Sequence, residues 1–236
     1  MKKKKIYIVT GSRADYGLLS NLITQLRKSK KLEITIVVTG QHLSKKYGNT
    51  YKEVKKDFHK PIKFIDIKVN NSDINSILKS ISIGITKVGK YFISKKPDLL
   101  ILLGDRYEML SIAVAALFNK VTIAHIHGGE LTQGSIDDTI RHTISKFSNL
   151  HFVATAQYKK RIIQLGENPD KVFLVGGLGS ENIKNINYLD KKYLEKDLKI
   201  KFKKNNFLIT FNSFLDNKVS VKTATRNMFK ALKKFK

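Results

Sequence analysis

Titratable side chains gather in a few short segments of this sequence. Gly11-Ser12-Arg13-Ala14-Asp15-Tyr16-Gly17, Gly104-Asp105-Arg106-Tyr107-Glu108 and His125-Ile126-His127-Gly128-Gly129-Glu130 each follow or end a short aliphatic run, and Asp137-Asp138 and Arg141-His142 come soon after. Such a set offers two kinds of chemistry. Histidines and carboxylates can take and return protons, and arginines beside helix amino termini can hold phosphate, because the backbone amides there already favour anions. Each residue also has a plainer role. Gly11 and Gly17 can simply make a turn into a helix, since their spacing is not the dinucleotide fingerprint. Asp105 can cap a helix starting at Arg106, His125 can be a core histidine, and Asp137 can be a cap. Convergence favours chemistry: two histidines, several carboxylates and three of the six arginines fall at neighbouring strand ends. No His-x-x-x-His or other compact ligand spacing occurs, so no metal is expected.

The elements that must position these residues alternate between β-branched runs and stretches of helical spacing, the pattern of a parallel sheet covered by helices. Strands are predicted at residues 5–10, 33–38, 63–69, 98–103, 122–126, 151–154 and 171–175. Between them, a loop over 11–17 leads to a helix carrying Leu18, Leu19, Leu22, Ile23 and Leu26 on one face. A long helix carries Ile74, Ile77, Leu78, Ile81, Ile85 and Val88, with Ser72 or Asp73 as its cap. Further helices are expected at 106–119, 138–147 and 157–165. The fourth strand, Asp98 to Leu103, is almost continuously apolar and should be buried on both faces. In the commonest doubly wound order it lies beside the first strand, and a ligand crevice opens at their carboxyl ends. Asp105 stands at that mouth, where the neighbouring Arg106 charge should hold its carboxylate ionised. Residues 1–182 thus form one Rossmann-like domain and 183–204 a charged connection with a helix near 189–197. Residues 205–236 begin a second domain with a strand at 206–211 and a helix at 219–235.

The 236 residues carry 45 lysines and arginines against 19 acids, a net charge of +26. Nucleic-acid binding is the obvious inference from such a charge. Yet the lysines are scattered over predicted helix faces and turns, and no aromatic stripe alternates with them as a single-strand binder requires. No specific nucleic-acid partner is expected. The absence of cysteine excludes disulfides and a cysteine nucleophile and fits the cytoplasm. The apolar run after the basic start, Ile6 to Val9, is too short for a signal or membrane span.

Taken in order, Thr10-Gly-Ser-Arg-Ala-Asp-Tyr-Gly17, Val38-Thr-Gly-Gln-His42, Tyr47-Gly-Asn-Thr-Tyr51, Gly104-Asp-Arg-Tyr-Glu108, His125-Ile-His-Gly-Gly-Glu130 and Asp137-Asp-Thr-Ile-Arg-His142 resemble one family. It is the hydrolysing UDP-N-acetylglucosamine 2-epimerases of sialic and legionaminic acid synthesis. The resemblance runs from the first strand to about Asn182. It implies the amino-terminal half of a two-domain fold like that of the GT-B glycosyltransferases, with UDP-N-acetylglucosamine or a related UDP-sugar in the cleft and no redox cofactor. It implies removal of the C2 proton as UDP leaves C1, and then addition of water to the resulting glucal.

Carried over residue by residue, the resemblance assigns Arg13, Arg106, Arg141, Gly11, Gly128 and Gly129 to nucleotide-sugar binding. It assigns Asp105, Glu130, Asp137, His127 and His142 to proton transfer, with His127 standing where some relatives carry a glutamate. Two departures accompany it. Asn212-Ser213 replaces the family's His-Pro pair, and the family's Gly-Asn-Ser-Ser segment does not occur. The resemblance therefore implies little activity for this chain alone, and a homo-oligomer or a separately encoded second half as partner.

Overall fold

The computed structural model describes residues 2–59, 61–69, 73–184, 188–211 and 220–235. Two compact units, Met1–Ile186 and Asn187–Lys236, divide the chain. In the first unit the strands are β1 (Lys4–Thr10), β2 (Leu32–Val38), β3 (Ile62–Phe64), β4 (Leu99–Leu103), β5 (Ile123–Ile126), β6 (Leu150–Val153) and β7 (Val172–Leu174). They form one parallel sheet in the order β3-β2-β1-β4-β5-β6-β7. The helices of this unit are α1 (Arg13–Arg27), α2 (Tyr51–Asp57), α3 (Ile74–Ser94), α4 (Tyr107–Phe118), α5 (Ile136–Phe147), α6 (Ala156–Gln164) and α7 (Leu178–Lys184).

The unbroken apolar run of β4 has the expected cause. Leu100 and Leu102 face α3, α4 and α5 together with Tyr7, Val9 and Ile123. Ile101 and Leu103 face α1 and α2 with Ile6, Ile8 and Ile36. A strand in mid-sheet has no solvent face, so period-two polarity disappears. α3 and α4 approach closely where Gly84 meets Ser111, at a point where a Cβ on Gly84 would stand 2.4 Å from the Ser111 hydroxyl.

Several boundaries differ from expectation. The expected loop 11–17 is already helix from Arg13, because the Ser12 hydroxyl accepts the Asp15 amide and caps it. The expected strand 63–69 ends at Phe64. Ile65, Ile67 and Val69 remain buried in alternation, but Asp66 accepts the Lys68 amide at 2.7 Å and Lys68 takes a left-handed φ of 62°, which turns the chain out of the ladder. Asp73 caps α3 through the Ser76 amide; Ser72 lies outside the described residues.

In the second unit α8 (Lys191–Leu198) and α9 (Val221–Leu232) are helical, with Asp190 and Ser220 as caps. The strand expected at 206–211 is irregular chain, since a lone extended segment has no ladder to join. Asn212-Ser213 and Val219 lie outside the described residues. Among the described residues no helix is long and apolar enough to cross a membrane.

Candidate active site

β1 and β4 are neighbours, and their connections leave in opposite directions, so a crevice opens at their carboxyl ends. A cavity of about 180 Å³ lies there, and Asp15, Asp105, Arg106, His127, Glu130 and Arg141 supply its polar lining.

Arg141, on α5, ties one side together. Its side chain is only 7% exposed. Its Nη2 donates to Asp105 and to Thr132 Oγ1 at 3.1 Å, and its Nη1 donates to the Glu130 carbonyl at 2.9 Å and to Asp138 Oδ1 at 3.3 Å. Asp138 Oδ1 also accepts the Thr132 amide at 2.9 Å. The helix-cap role considered for Asp105 is therefore not the observed one. Arg106 is the N-cap residue of α4, and Asp105 turns instead to an arginine 36 residues away in sequence. Burial pulls the Arg141 guanidinium below its ordinary range, but not far enough for an arginine to lose its charge.

Across the cavity, the segment after β5 bends sharply at His127, whose φ is 63°. The bend brings His127 Nδ1 to 2.6 Å from Glu130 Oε1 and leaves Nε2 buried without a partner among the described residues. Gly128 and Gly129 make the bend possible. A Cβ on Gly128 would stand 2.9 Å from the Ser145 hydroxyl, and one on Gly129 would stand 2.6 Å from the Tyr158 carbonyl. Both glycines are buried against α5 and α6, so their immediate role is close packing.

The third wall belongs to Arg106. The sequence suggested that its charge would hold Asp105, but it pairs with Glu108: Nη2 lies 2.9 Å from Oε1 and Nε lies 3.3 Å from both oxygens. Burial alone would lower the Arg106 pKa, yet the Glu108 carboxylate reverses that and raises it. Asp15 shares this wall. Its carboxylate accepts the Gly11 amide at 3.2 Å, and burial raises its pKa against the pull of Arg106. Neither Asp15 nor Asp138 was singled out from sequence. The Ser12-x-x-Asp15 capping spacing was the available signal for the first. Among the described residues no three histidines or carboxylates gather as a metal site.

The sequence profile of the UDP-N-acetylglucosamine 2-epimerase family matches residues 24–236. The chain belongs to that family. It is 45% identical over 232 residues to the GDP/UDP-N,N'-diacetylbacillosamine 2-epimerase (hydrolyzing) of Campylobacter jejuni, covering 98% of this chain and 60% of that protein. It is 43% identical over 192 residues to the polysialic acid biosynthesis protein P7 of Escherichia coli, covering 81% and 49%. The crystal structure of the Neisseria meningitidis UDP-GlcNAc 2-epimerase bound to UDP-GlcNAc shares the fold with a TM-score of 0.66 at 22% identity, covering 83% of this chain and 53% of that one. The chain thus spans about half the length of the relatives it matches.

In this member of the UDP-N-acetylglucosamine 2-epimerase family, not every expected residue reaches the cavity. Arg13, at the start of α1, gives its Nε to both Glu53 oxygens at 3.1 Å and stays mostly exposed. Asp137 remains beside its own helix start, where it accepts the Ser135 hydroxyl at 3.0 Å. His142 lies on α5 away from the lining, its Nδ1 buried without a partner among the described residues. Gly11 supports the wall through Asp15. The cavity thus gathers Asp105, Arg106, His127, Glu130 and Arg141, and adds Asp15 to them.

Proposed function

We propose that this chain supplies the proton-transferring and diphosphate-holding half of a hydrolysing UDP-sugar 2-epimerase. One observation carries the reading: the His127–Glu130 pair, the Asp105–Arg141 pair and Arg106 surround a single cavity at the β1–β4 crevice. The elimination breaks the C2–H bond, forms a C1–C2 double bond and expels UDP with the C1–O electrons. It needs a base at C2 and a cation on the departing diphosphate. His127, held 2.6 Å from Glu130, is the base that takes the C2 proton. Arg106 meets the diphosphate, and Asp105, fixed by Arg141, relays a proton when water adds. Elimination and hydration are redox-neutral, so the reading requires no cofactor. The names of the relatives support a UDP-linked acetamido sugar, and a cytoplasmic setting fits the cysteine-free sequence.

The purified chain is expected to bind UDP and to release little UDP by itself from UDP-N-acetylglucosamine or its 2,4-diacetamido analogue. Titration calorimetry and a UDP-release assay on both sugars test this. Failure to bind UDP at millimolar concentration refutes the reading.

A second reading has its own observation. In the Asn187–Lys236 unit Phe207, Leu208, Ile209 and Phe211 are exposed, Leu208 almost completely. An apolar surface of that kind favours a partner that supplies the other half of the enzyme. Light scattering on the pure chain separates the readings, because a clean monomer removes the support for this one.

A further inference from the structure

The three arginines of the expected site are not equivalent, and what distinguishes them is how many of their N–H groups are already committed. Both Nη nitrogens of Arg141 are committed to protein acceptors. Arg13 is engaged by Glu53 and lies off the cavity. Of the two arginines that line the cavity, Arg106 donates only from its Nε–Nη2 edge; no described residue accepts from its Nη1.

The group that takes that edge, Glu108, is completely buried. Its burial is a consequence of how the strand ends converge. Gly40, after β2, lies over the carboxylate with a φ of 58°, so close that a Cβ there would be 3.2 Å from Glu108 Oε1 and 2.8 Å from the Gly11 carbonyl. Glu108 also falls in the first turn of α4, where the helix amides favour a negative charge. A carboxylate with no access to water still needs a cation, because the helix terminus compensates its charge only in part. Arg106 is the one that meets it.

We propose that Glu108 is the positioning residue of the anion seat. It pins Arg106 by one edge so that the opposite edge, Nη1, faces the diphosphate. Arg106 makes the contact, and Glu108 acts only through it. This inference rests on the reading of the cavity as a UDP-sugar site.

Two measurements separate its failure from the failure of that reading. The first needs no ligand. In the wild-type chain the Nε–H resonance of Arg106 should be protected from exchange, and Glu108→Gln should remove that protection; an unchanged resonance overturns the pin. The second is UDP affinity measured by NMR titration. Glu108→Gln should weaken UDP about tenfold, the effect of losing one charge-assisted contact. In an Arg106→Ala background the same substitution should cause no further loss of affinity, and it should raise thermal stability by removing a buried carboxylate without a partner. Equal losses in both backgrounds overturn the inference. Arg106→Lys, which keeps the charge over Glu108 but lacks the two-edged fork, should lose affinity as Glu108→Gln does even if that variant folds poorly; unchanged affinity in Arg106→Lys also overturns it. A wild-type chain that binds no UDP overturns the reading, and this inference with it.

Discussion

Acid should unfold the Met1–Ile186 unit through two buried histidines. His125, in β5, gives its Nε2 proton to the Gly104 carbonyl at 2.7 Å and sets Nδ1 3.0 Å from the Ser145 hydroxyl. His42 lies between the hydroxyls of Thr10, 2.9 Å away, and Thr50, 2.8 Å away. Both rings are fully buried among neutral hydrogen-bond partners, and burial lowers each pKa from 6.5 to about 4. A folded pKa below the unfolded one means that the unfolded chain takes up the proton first. The stabilisation is therefore fully present above about pH 6.5 and is lost as the pH falls towards 4. At about 1.4 kcal/mol per unit, each histidine removes on the order of 3 kcal/mol across that window. The two together approach the whole stability of an ordinary domain, roughly 5–15 kcal/mol. His151 acts in the same direction, burial lowering its pKa. Asp15 acts in the opposite one: burial raises its pKa, so its folded form gains a proton early and recovers part of the loss. Urea midpoints followed by circular dichroism in steps of pH should fall steeply below about pH 6.5, with a slope of roughly two protons. Replacing His125 by Asn should take about one proton off that slope. A midpoint that stays flat down to about pH 5, or a slope that replacing His125 leaves unchanged, refutes this account.

Gly84→Ala should push α3 from α4, because its Cβ would meet Ser111 at 2.4 Å; a loss of about 1–3 kcal/mol in chemical denaturation is expected, and no loss means that the helices can separate freely. Asp105→Asn, in an enzyme that contains both halves, should lower turnover about a hundredfold and also lower the melting temperature, because it takes a carboxylate from the buried Arg141. Asp137→Asn should leave turnover near normal in the same assay, since that carboxylate stays at its own helix start. The reverse ranking would move the proton relay from Asp105 to the start of α5.

The parallel sheet could be read from the sequence because β-branched runs and helical spacing report burial directly. β4 is the clearest case, its two covered faces erasing the alternation that half-buried strands show. β3 is shorter than its pattern for a related reason: Ile65, Ile67 and Val69 alternate inward as a strand would, while a side-chain turn at Asp66 breaks the ladder that alternation alone cannot report. At the site the difficulty is one of pairing. Proximity in sequence suggested Arg106 for Asp105, but side chains of adjacent residues leave a strand end in different directions. Arg106 folds back on Glu108, two residues on, while Asp105 meets α5. Asp138 was hidden by Asp137, because two consecutive aspartates at a helix start look alike until the helix phase is known. On α5 the second of them lies three residues before Arg141 and therefore on its face.

A strongly basic chain must also keep its site charges in order. Six charged or titratable groups around a cavity of about 180 Å³ would repel or neutralise one another at random if left mobile. Here the three arginines of the expected site are each matched to a carboxylate before any ligand arrives: Arg13 to Glu53, Arg106 to Glu108, Arg141 to Asp105 and Asp138. The pairs differ in exposure, and exposure decides their role. The Arg13 pair is open to solvent, where it contributes little. The Arg141 pair is enclosed and saturated, which fixes Asp105 and the Glu130 carbonyl in place. Only the Arg106 pair is buried on one edge and unfilled on the other. A departing diphosphate would find its cation there, already oriented, so that the cost of ordering it is met by the fold and not by the ligand.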